Sequence, residues 1–225
     1  MKKCLLLCMF IPVLFQANGQ WGLTAVSTIG STQEWQVVAE NYITRRHTEF
    51  MRFGTAAALD YTIPLKNEAL RIQPALQFVR SSWNFHPHYF EVYALGFQCN
   101  MNFALLPASN HEGKPAPFRP WLQVFPGLGY VRKKYDQPVG DGGPNENPLI
   151  KHTDSSLAFN AGANLLLEFR LTELLTVSPL FGVRLFPGLR WKNFTEIVSD
   201  GNMSGTFDRT HWRQMHFGLR VGLDL

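Results

Sequence analysis

Near its C-terminus the chain alternates strictly between greasy and polar positions. Met215, Phe217, Leu219, Val221, Leu223 and Leu225 share one face of an extended strand, while Gln214, His216, Gly218, Arg220, Gly222 and Asp224 share the other. A repeat of two is the side-chain period of a β-strand. The same pattern runs backwards through the chain. Leu157, Phe159, Ala161, Ala163, Leu165, Leu167 and Phe169 alternate with Ala158, Asn160, Gly162, Asn164, Leu166 and Glu168. From 176 onward Val177, Pro179, Phe181, Val183, Leu185 and Leu189 alternate with Ser178, Gly182, Arg184, Gly188 and Arg190, and around 70 Leu70, Ile72, Leu76 and Phe78 alternate with Arg71, Gln73, Ala75 and Gln77. Trp21 to Thr28, Phe50 to Ile63, Tyr89 to Leu105 and Trp121 to Lys134 complete a set of about eight expected strands, most of them longer than the roughly 9 to 11 residues that a tilted membrane strand needs. A soluble sandwich also alternates, but its polar face meets bulk water and seldom places so many glycines and arginines in register. No window outside the N-terminus approaches 18 uninterrupted apolar residues, so transmembrane helices are not expected.

The connections add a second regularity. Those expected after the first, fifth and seventh strands are long (Ile29 to Glu49, Tyr135 to Asp154, Asn193 to Thr210), and those after the second and sixth are short (Pro64 to Glu68, Leu171 to Leu175). Alternation of long and short connections suits an outer-membrane barrel whose chain starts on the periplasmic side. Asn84 to His88 and Leu106 to Pro120 depart from it, being short and long on the opposite sides. Tryptophan favours the headgroup level of a bilayer, and Trp21 and Trp121 open strands at one rim while Trp83, Trp191 and Trp212 fall at the other, which predicts aromatic girdles. Trp35 falls in the first long connection. Pro74, Pro126, Pro179 and Pro187 interrupt expected strands. A closed barrel has no unpaired edge to accept them, so local ladder breaks are expected there, with a bulge or bend at the repeated Phe125-Pro126-Gly127-Leu128 and Phe186-Pro187-Gly188-Leu189.

Residues 1–19 have the parts of a secretory signal peptide: Lys2 and Lys3, an apolar run from Cys4 to Phe15, and small residues at Ala17 and Gly19. Cleavage before Gln20 is expected, leaving 20–225 as one barrel domain. Leu6 and Leu7 before Cys8 do not suit a lipoprotein signal. Two of the three cysteines leave with the signal, so Cys99 remains without an intramolecular partner and a disulfide-held small domain is excluded. The formal net charge of +4 is scattered, and Lys2 and Lys3 contribute to it, so no nucleic-acid partner is expected. Aromatic content of 13% with 18 Phe supplies apolar surface without a long apolar run, as membrane strands do.

Leu70-Arg71-Ile72-Gln73-Pro74-Ala75-Leu76, Pro120-Trp121-Leu122 leading to Pro126-Gly127-Leu128-Gly129-Tyr130, and the alternating terminal strand together resemble the outer-membrane β-barrel family of the Bacteroidetes envelope, a relative in shape of the OmpA membrane domain. The resemblance runs from about Trp21 to Leu225, and implies an all-β fold: an antiparallel up-and-down transmembrane barrel of about eight strands in the outer membrane. Outer-membrane lipid, lipopolysaccharide and envelope proteins are the partners it implies. Roles in that family are diverse.

Candidate chemistry is sparse. His86-Pro87-His88 offers two imidazoles, but a zinc site needs further ligands. His152, Asp154, Ser155 and Ser156 invite comparison with barrel lipases in which a histidine activates a serine, although no oxyanion-hole motif accompanies them. Asp136, Asp141 and Glu146 around Gly140-Asp141-Gly142-Gly143 lack the spacing of an EF-hand. No catalytic residue, metal or cofactor is therefore expected. The expected inward faces instead carry Arg52, Asp60, Arg71, Glu168, Arg184, Arg190 and Arg220. Charges of both signs in a narrow lumen should pair, plugging it. The expected function is non-enzymatic, in envelope structure, interaction or assembly; a small passive pore and a lipid-modifying enzyme are the alternatives. On the last strand, replacing lipid-facing Leu219 by Arg is expected to cost more than replacing inward-facing Gly218 by Ser.

Overall fold

The computed structural model describes residues 19–39, 42–50, 54–65, 69–85, 88–107, 116–138, 149–190, 195–198 and 203–224; at 64 and within 29–50, 83–90, 135–152, 190–198 and 203–211 it describes backbone only. The expected signal peptide, residues 1–19, thus lies outside the described residues except for Gly19.

The described chain is all strand: β1 (Gln20–Ala39), β2 (Tyr42–Phe50), β3 (Gly54–Pro64), β4 (Leu70–Phe85), β5 (His88–Ala104), β6 (Phe118–Pro138), β7 (Leu149–Arg170), β8 (Leu175–Arg190), β9 (Thr195–Val198) and β10 (Met203–Asp224). Each of β3 to β7 pairs antiparallel with the next, β8 pairs with β10, and β1 pairs with both β3 and β10. That circuit closes an eight-stranded antiparallel barrel of β1, β3 to β8 and β10. With eight strands the interior is just wide enough to be filled by side chains.

Closure leaves the ring itself without an edge, yet the prolines still have to be accommodated, and Pro74, Pro126 and Pro179 each interrupt pairing on one side only. The β3–β4 ladder is interrupted between Asp60↔Ala75 and Ile63↔Ile72, spanning Pro74. The β5–β6 ladder is interrupted between Gln98↔Gly127 and Met101↔Val124, spanning Pro126. The β7–β8 ladder is interrupted between Leu166↔Leu180 and Phe169↔Val177, spanning Pro179. On the opposite side of each strand the pairing is continuous, as in Pro74↔Cys99, Pro126↔Ala161 and Pro179↔Leu219. Equal numbers of residues lie on both strands of each gap, so register survives and only the bonds the missing N–H would have made are lost.

The second Pro-Gly pair behaves differently. Leu189 pairs with Thr210 and Phe186 with Trp212, so Pro187 and Gly188 oppose a single residue, His211. This is a β-bulge, and Gly188 adopts φ 63° within it, a conformation that glycine reaches without steric penalty. The extra residue shifts the alternation by one. Leu189, expected on the outward face, is buried inside as a result.

The long connections expected at Ile29 to Glu49, Tyr135 to Asp154 and Asn193 to Thr210 need correction, because much of each is strand. β1 continues to Ala39 and folds back on β2 in a hairpin with Ser31↔Phe50 and Ala39↔Tyr42 as its outermost pairs. β10 follows β1 over the same stretch and carries the short β9 against Met203 to Thr206. These segments lack a one-sided apolar face, so alternation could not reveal them. The sheet therefore projects beyond the closed ring at the end opposite Gln20 and Asp224. At the other end β7 and β8 are joined by a tight turn in which Thr172 Oγ1 accepts bonds from the amides of Leu174 and Leu175, a side-chain-closed turn.

Outside, the ring is greasy. Leu157 is 73% exposed and Phe97 69%, and Leu23, Leu95, Leu128, Phe181 and Met215 are also exposed on the same outward parity. Contiguous apolar surface on this scale is not left open by a protein surrounded by water. Inside, the cluster of Val79, Val92, Val131, Phe186, Leu189 and Trp212 is nearly or wholly buried, and the rest of the lumen is polar.

Candidate functional site

The lumen is the place where polar side chains converge, and strand parity determines which they are. β10 places Arg220 inward and β3 places Asp60 opposite it; the two are 2% and 1% exposed and meet at 2.6 Å. Arg220 Nε also donates to both carboxylate oxygens, at 3.2 and 3.1 Å. Its remaining donors reach Gln20 Oε1 and Thr62 Oγ1 at 3.1 Å each. The planar guanidinium fork suits this divided task. Gly22 on β1 lies against the pair, and a Cβ there would collide with both side chains.

From this ion pair a chain of amides crosses the lumen. Thr62 accepts from Gln73 Nε2 (2.8 Å), Gln73 Oε1 from Asn102 Nδ2 (2.9 Å), and Asn102 Oδ1 from Gln123 Nε2 (2.8 Å). Asn164 donates to Gln123 Oε1, and its own Oδ1 lies 2.7 Å from His216 Nε2, which therefore carries the hydrogen of that bond. Arg184 donates to Gln98 Oε1 at 3.3 Å and lies over the Phe125 ring at 5.2 Å. Arg71 and Glu168 form a second ion pair at 2.8 Å. A third, between Lys133 and Asp154 at 3.0 Å, has a lysine with no exposed side-chain surface. Between these groups a cavity of about 30 Å³ remains, lined among others by Asn164, Arg184, His216 and Arg220, which is room for a water or two. Arg184 Nε and His216 Nδ1 lack a protein partner there, so water is the expected partner.

Of the charges assigned to the lumen from sequence, Asp60, Arg71, Glu168, Arg184 and Arg220 are placed inward, in the Arg220–Asp60 pair, the Arg71–Glu168 pair and the Arg184–Gln98 bond. Arg52 lies outside the described residues, and of Arg190 only the backbone is described. Gln73 and Asn164 stand on the polar faces expected to turn inward, whereas Lys133, Asp154, Asn102 and Gln123 are not among the residues expected there; their alternation with outward residues along β5, β6 and β7 is the signal that could have found them.

Two members of the expected tryptophan girdle are corrected. Trp121 is 2% exposed and points inward, with the guanidinium groups of Arg71 and Arg119 over its ring at 4.1 and 4.4 Å. Trp212 has no exposed surface and stacks on Phe186 at 4.6 Å. Both share parity with lumen residues, Trp121 with Gln123 and Trp212 with Gln214, and neither reaches the outward face. Trp21 does face outward, 5.1 Å from its cross-strand partner Tyr61. Phe118 and Phe169 form a similar outward pair at 5.0 Å. Trp83 and Trp35 are described by backbone only, and Trp191 is outside the described residues.

Of the other candidate groups, Asp154, Ser155, Ser156 and Cys99 have described side chains. Ser155 and Ser156 alternate to opposite faces of β7, with Asp154 and Ser156 both bound to Lys133 in the lumen; the side chain of His152 is not among those described. Cys99 is exposed on the outward face. His86, Asp141 and Glu146 lie outside the described residues, and His88 and Asp136 are described by backbone only. Among the described residues no three His, Cys, Asp or Glu side chains come together as metal ligands.

A family model for the FMRFamide related peptide family matches residues 45–54 and 209–218. These are two short stretches, the first containing Phe50-Met51-Arg52-Phe53, which spells the name of that peptide. No curated protein matches the chain. Solved structures similar to it include Neisserial surface protein A (12% identity, 91% of this chain and 97% of that chain, TM-score 0.45). Others are a major outer membrane protein from Thermus thermophilus (11%, 91% and 99%, TM-score 0.48) and the outer membrane protease OmpT from Escherichia coli (9%, 92% and 97%, TM-score 0.44). The likeness is one of barrel shape, and the roles in those names belong to those proteins.

Proposed function

We propose that the protein is an outer-membrane barrel of non-enzymatic function, a closed and rigid mount for the strands that project from the end opposite Gln20 and Asp224. The observation that carries this reading is the pairing of an apolar exterior with a filled interior. Leucine and phenylalanine cover the outside of the ring, as a bilayer requires. The lumen is occupied from the Arg220–Asp60 pair, through the amide chain, to the stacked Phe186 and Trp212. A barrel built this way anchors and presents. The resemblance to the small barrels of the Bacteroidetes envelope agrees with this role, with lipopolysaccharide and envelope proteins as partners.

Recording single barrels refolded into planar bilayers tests the proposal. Correct folding, read as heat-modifiable mobility on a gel, should accompany electrical silence. Steady anion-selective conductance that disappears in the Arg184→Gln and Arg220→Gln variants would instead make the lumen a pore lined by unneutralised arginine.

A further inference from the structure

On the outward face of β4, β5 and β6, the apolar surface stops at a defined row. Phe78, Leu95 and Tyr130 stand side by side across the three strands. The next row toward the projecting end is Arg80, Tyr93 and Arg132, and the one beyond it holds Glu91 and Lys134. Among the described side chains three cations thus meet one carboxylate. Glu91 takes Arg80 at 2.9 Å and Lys134 at 3.5 Å, while Arg132 is exposed and has no acidic partner among the described residues. Tyr93 lies between them, its ring 5.5 Å from the Arg80 guanidinium and 5.2 Å from Lys134 Nζ. An open depression of about 410 Å³ joins the apolar row to the cationic one, with Tyr93, Tyr130, Arg132 and Lys134 on its walls.

We infer that this depression binds the phosphate-bearing headgroup of a lipid in the outer leaflet, with the acyl chains lying along the row of Phe78, Leu95 and Tyr130. The depression complements such a lipid in both charge and apolar surface. The excess of positive charge sits where a barrel strand leaves hydrocarbon, and arginine offers the forked donors that phosphate oxygens accept. A soluble anion would have no use for the adjoining greasy row, and a neutral lipid none for Arg132. The inference deepens the proposed function by naming a partner of the barrel wall, and it rests on the reading of that wall as membrane-inserted.

The test uses the full chain refolded in detergent micelles, mixed with phosphatidic acid, and the lipid retained through gel filtration. Retention should fall about tenfold or more in the combined Arg132→Gln and Lys134→Gln variant, as loss of charged hydrogen bonds implies. It should be unchanged in Arg213→Gln, which removes an exposed cation from β10. Equal retention by the double variant, or equal retention of oleic acid, would overturn the inference, and displacement of the lipid by inorganic phosphate alone would reassign the site to a free anion. If the double variant does not fold, salt decides with the unaltered protein: retention weakened by sodium chloride supports a charged headgroup site, and indifference to salt overturns it. A protein that failed to enter vesicles at all would instead remove the membrane reading, so the two failures are distinguishable.

Discussion

Gly218 and Leu219 are neighbours on β10 that face opposite media, and their substitutions probe two kinds of packing. Leu219 is exposed on the outward face, so Leu219→Arg places a charge in hydrocarbon at a cost of roughly 2–4 kcal/mol. From alternation alone Gly218→Ser should be mild, because an inward face tolerates polar atoms. The structure changes that expectation. A Cβ at Gly218 would run into the backbone oxygen of Ala25 and into the backbone and side chain of Val26 on β1. Backbone in a closed ring cannot step aside as the end of a side chain can, so Gly218→Ser should cost on the order of 1–3 kcal/mol, as overpacking does. Urea titration of both variants refolded into the same vesicles should therefore show two destabilised proteins; a Gly218→Ser protein indistinguishable from the parent would mean that β1 and β10 are farther apart than described. The ion pairs show the same division. That Arg220 and Asp60 turn inward is legible from parity, but their meeting each other depends on ring closure bringing β10 to β1 and β3, which no local pattern records.

Among the strands, β8 best shows where legibility ends. Its first half, Val177 to Leu185, alternates as written in the sequence and lies as that alternation demands. Beyond Phe186 the bulge adds one residue and Leu189 turns in, so the same apolar letter changes its environment. Trp121 and Trp212 depart from the expected girdle for a related reason: an indole suits a headgroup boundary and a packed interior equally well, and only register decides. The bulge itself can be tested. A Cβ at Gly188 would have nothing within 4 Å, so the cost of Gly188→Ala comes from φ 63° alone and should be about 1–2 kcal/mol. Gly188→Asn, whose side chain tolerates that region, should recover much of the loss. Equal stability of the glycine, alanine and asparagine proteins would show that the strand does not depend on a left-handed residue there.

At the scale of the whole molecule, ring and projection are separable in the pairing pattern. β1 pairs through Gln20 to Thr28 with β3 and through Gln20 to Ile29 with β10, and those pairs alone close the circuit. From Ser31 outward it pairs with β2, which is paired with no other described strand, and with the part of β10 that lies beyond closure. The buried ion pairs, the amide chain and the outward apolar rows are made by ring residues, so the energetic argument for folding does not need β2. Ser31 and Phe50 face each other directly, at a separation that two residues of a type I′ turn can bridge. Replacing residues 32–49 by Asn-Gly should therefore leave a barrel that refolds into vesicles with the same heat-modifiable mobility and nearly the parent's stability in urea, while any partner held by the projecting strands is lost. The physical reason to expect near-parity is that the removed hairpin has few ways to favour closure: a two-stranded ribbon is marginal in water on its own, and shortening a connection lowers the entropy lost on forming it. A truncated protein unable to fold would place part of the folding free energy in the projection, and the barrel would then be no independent mount for what it carries.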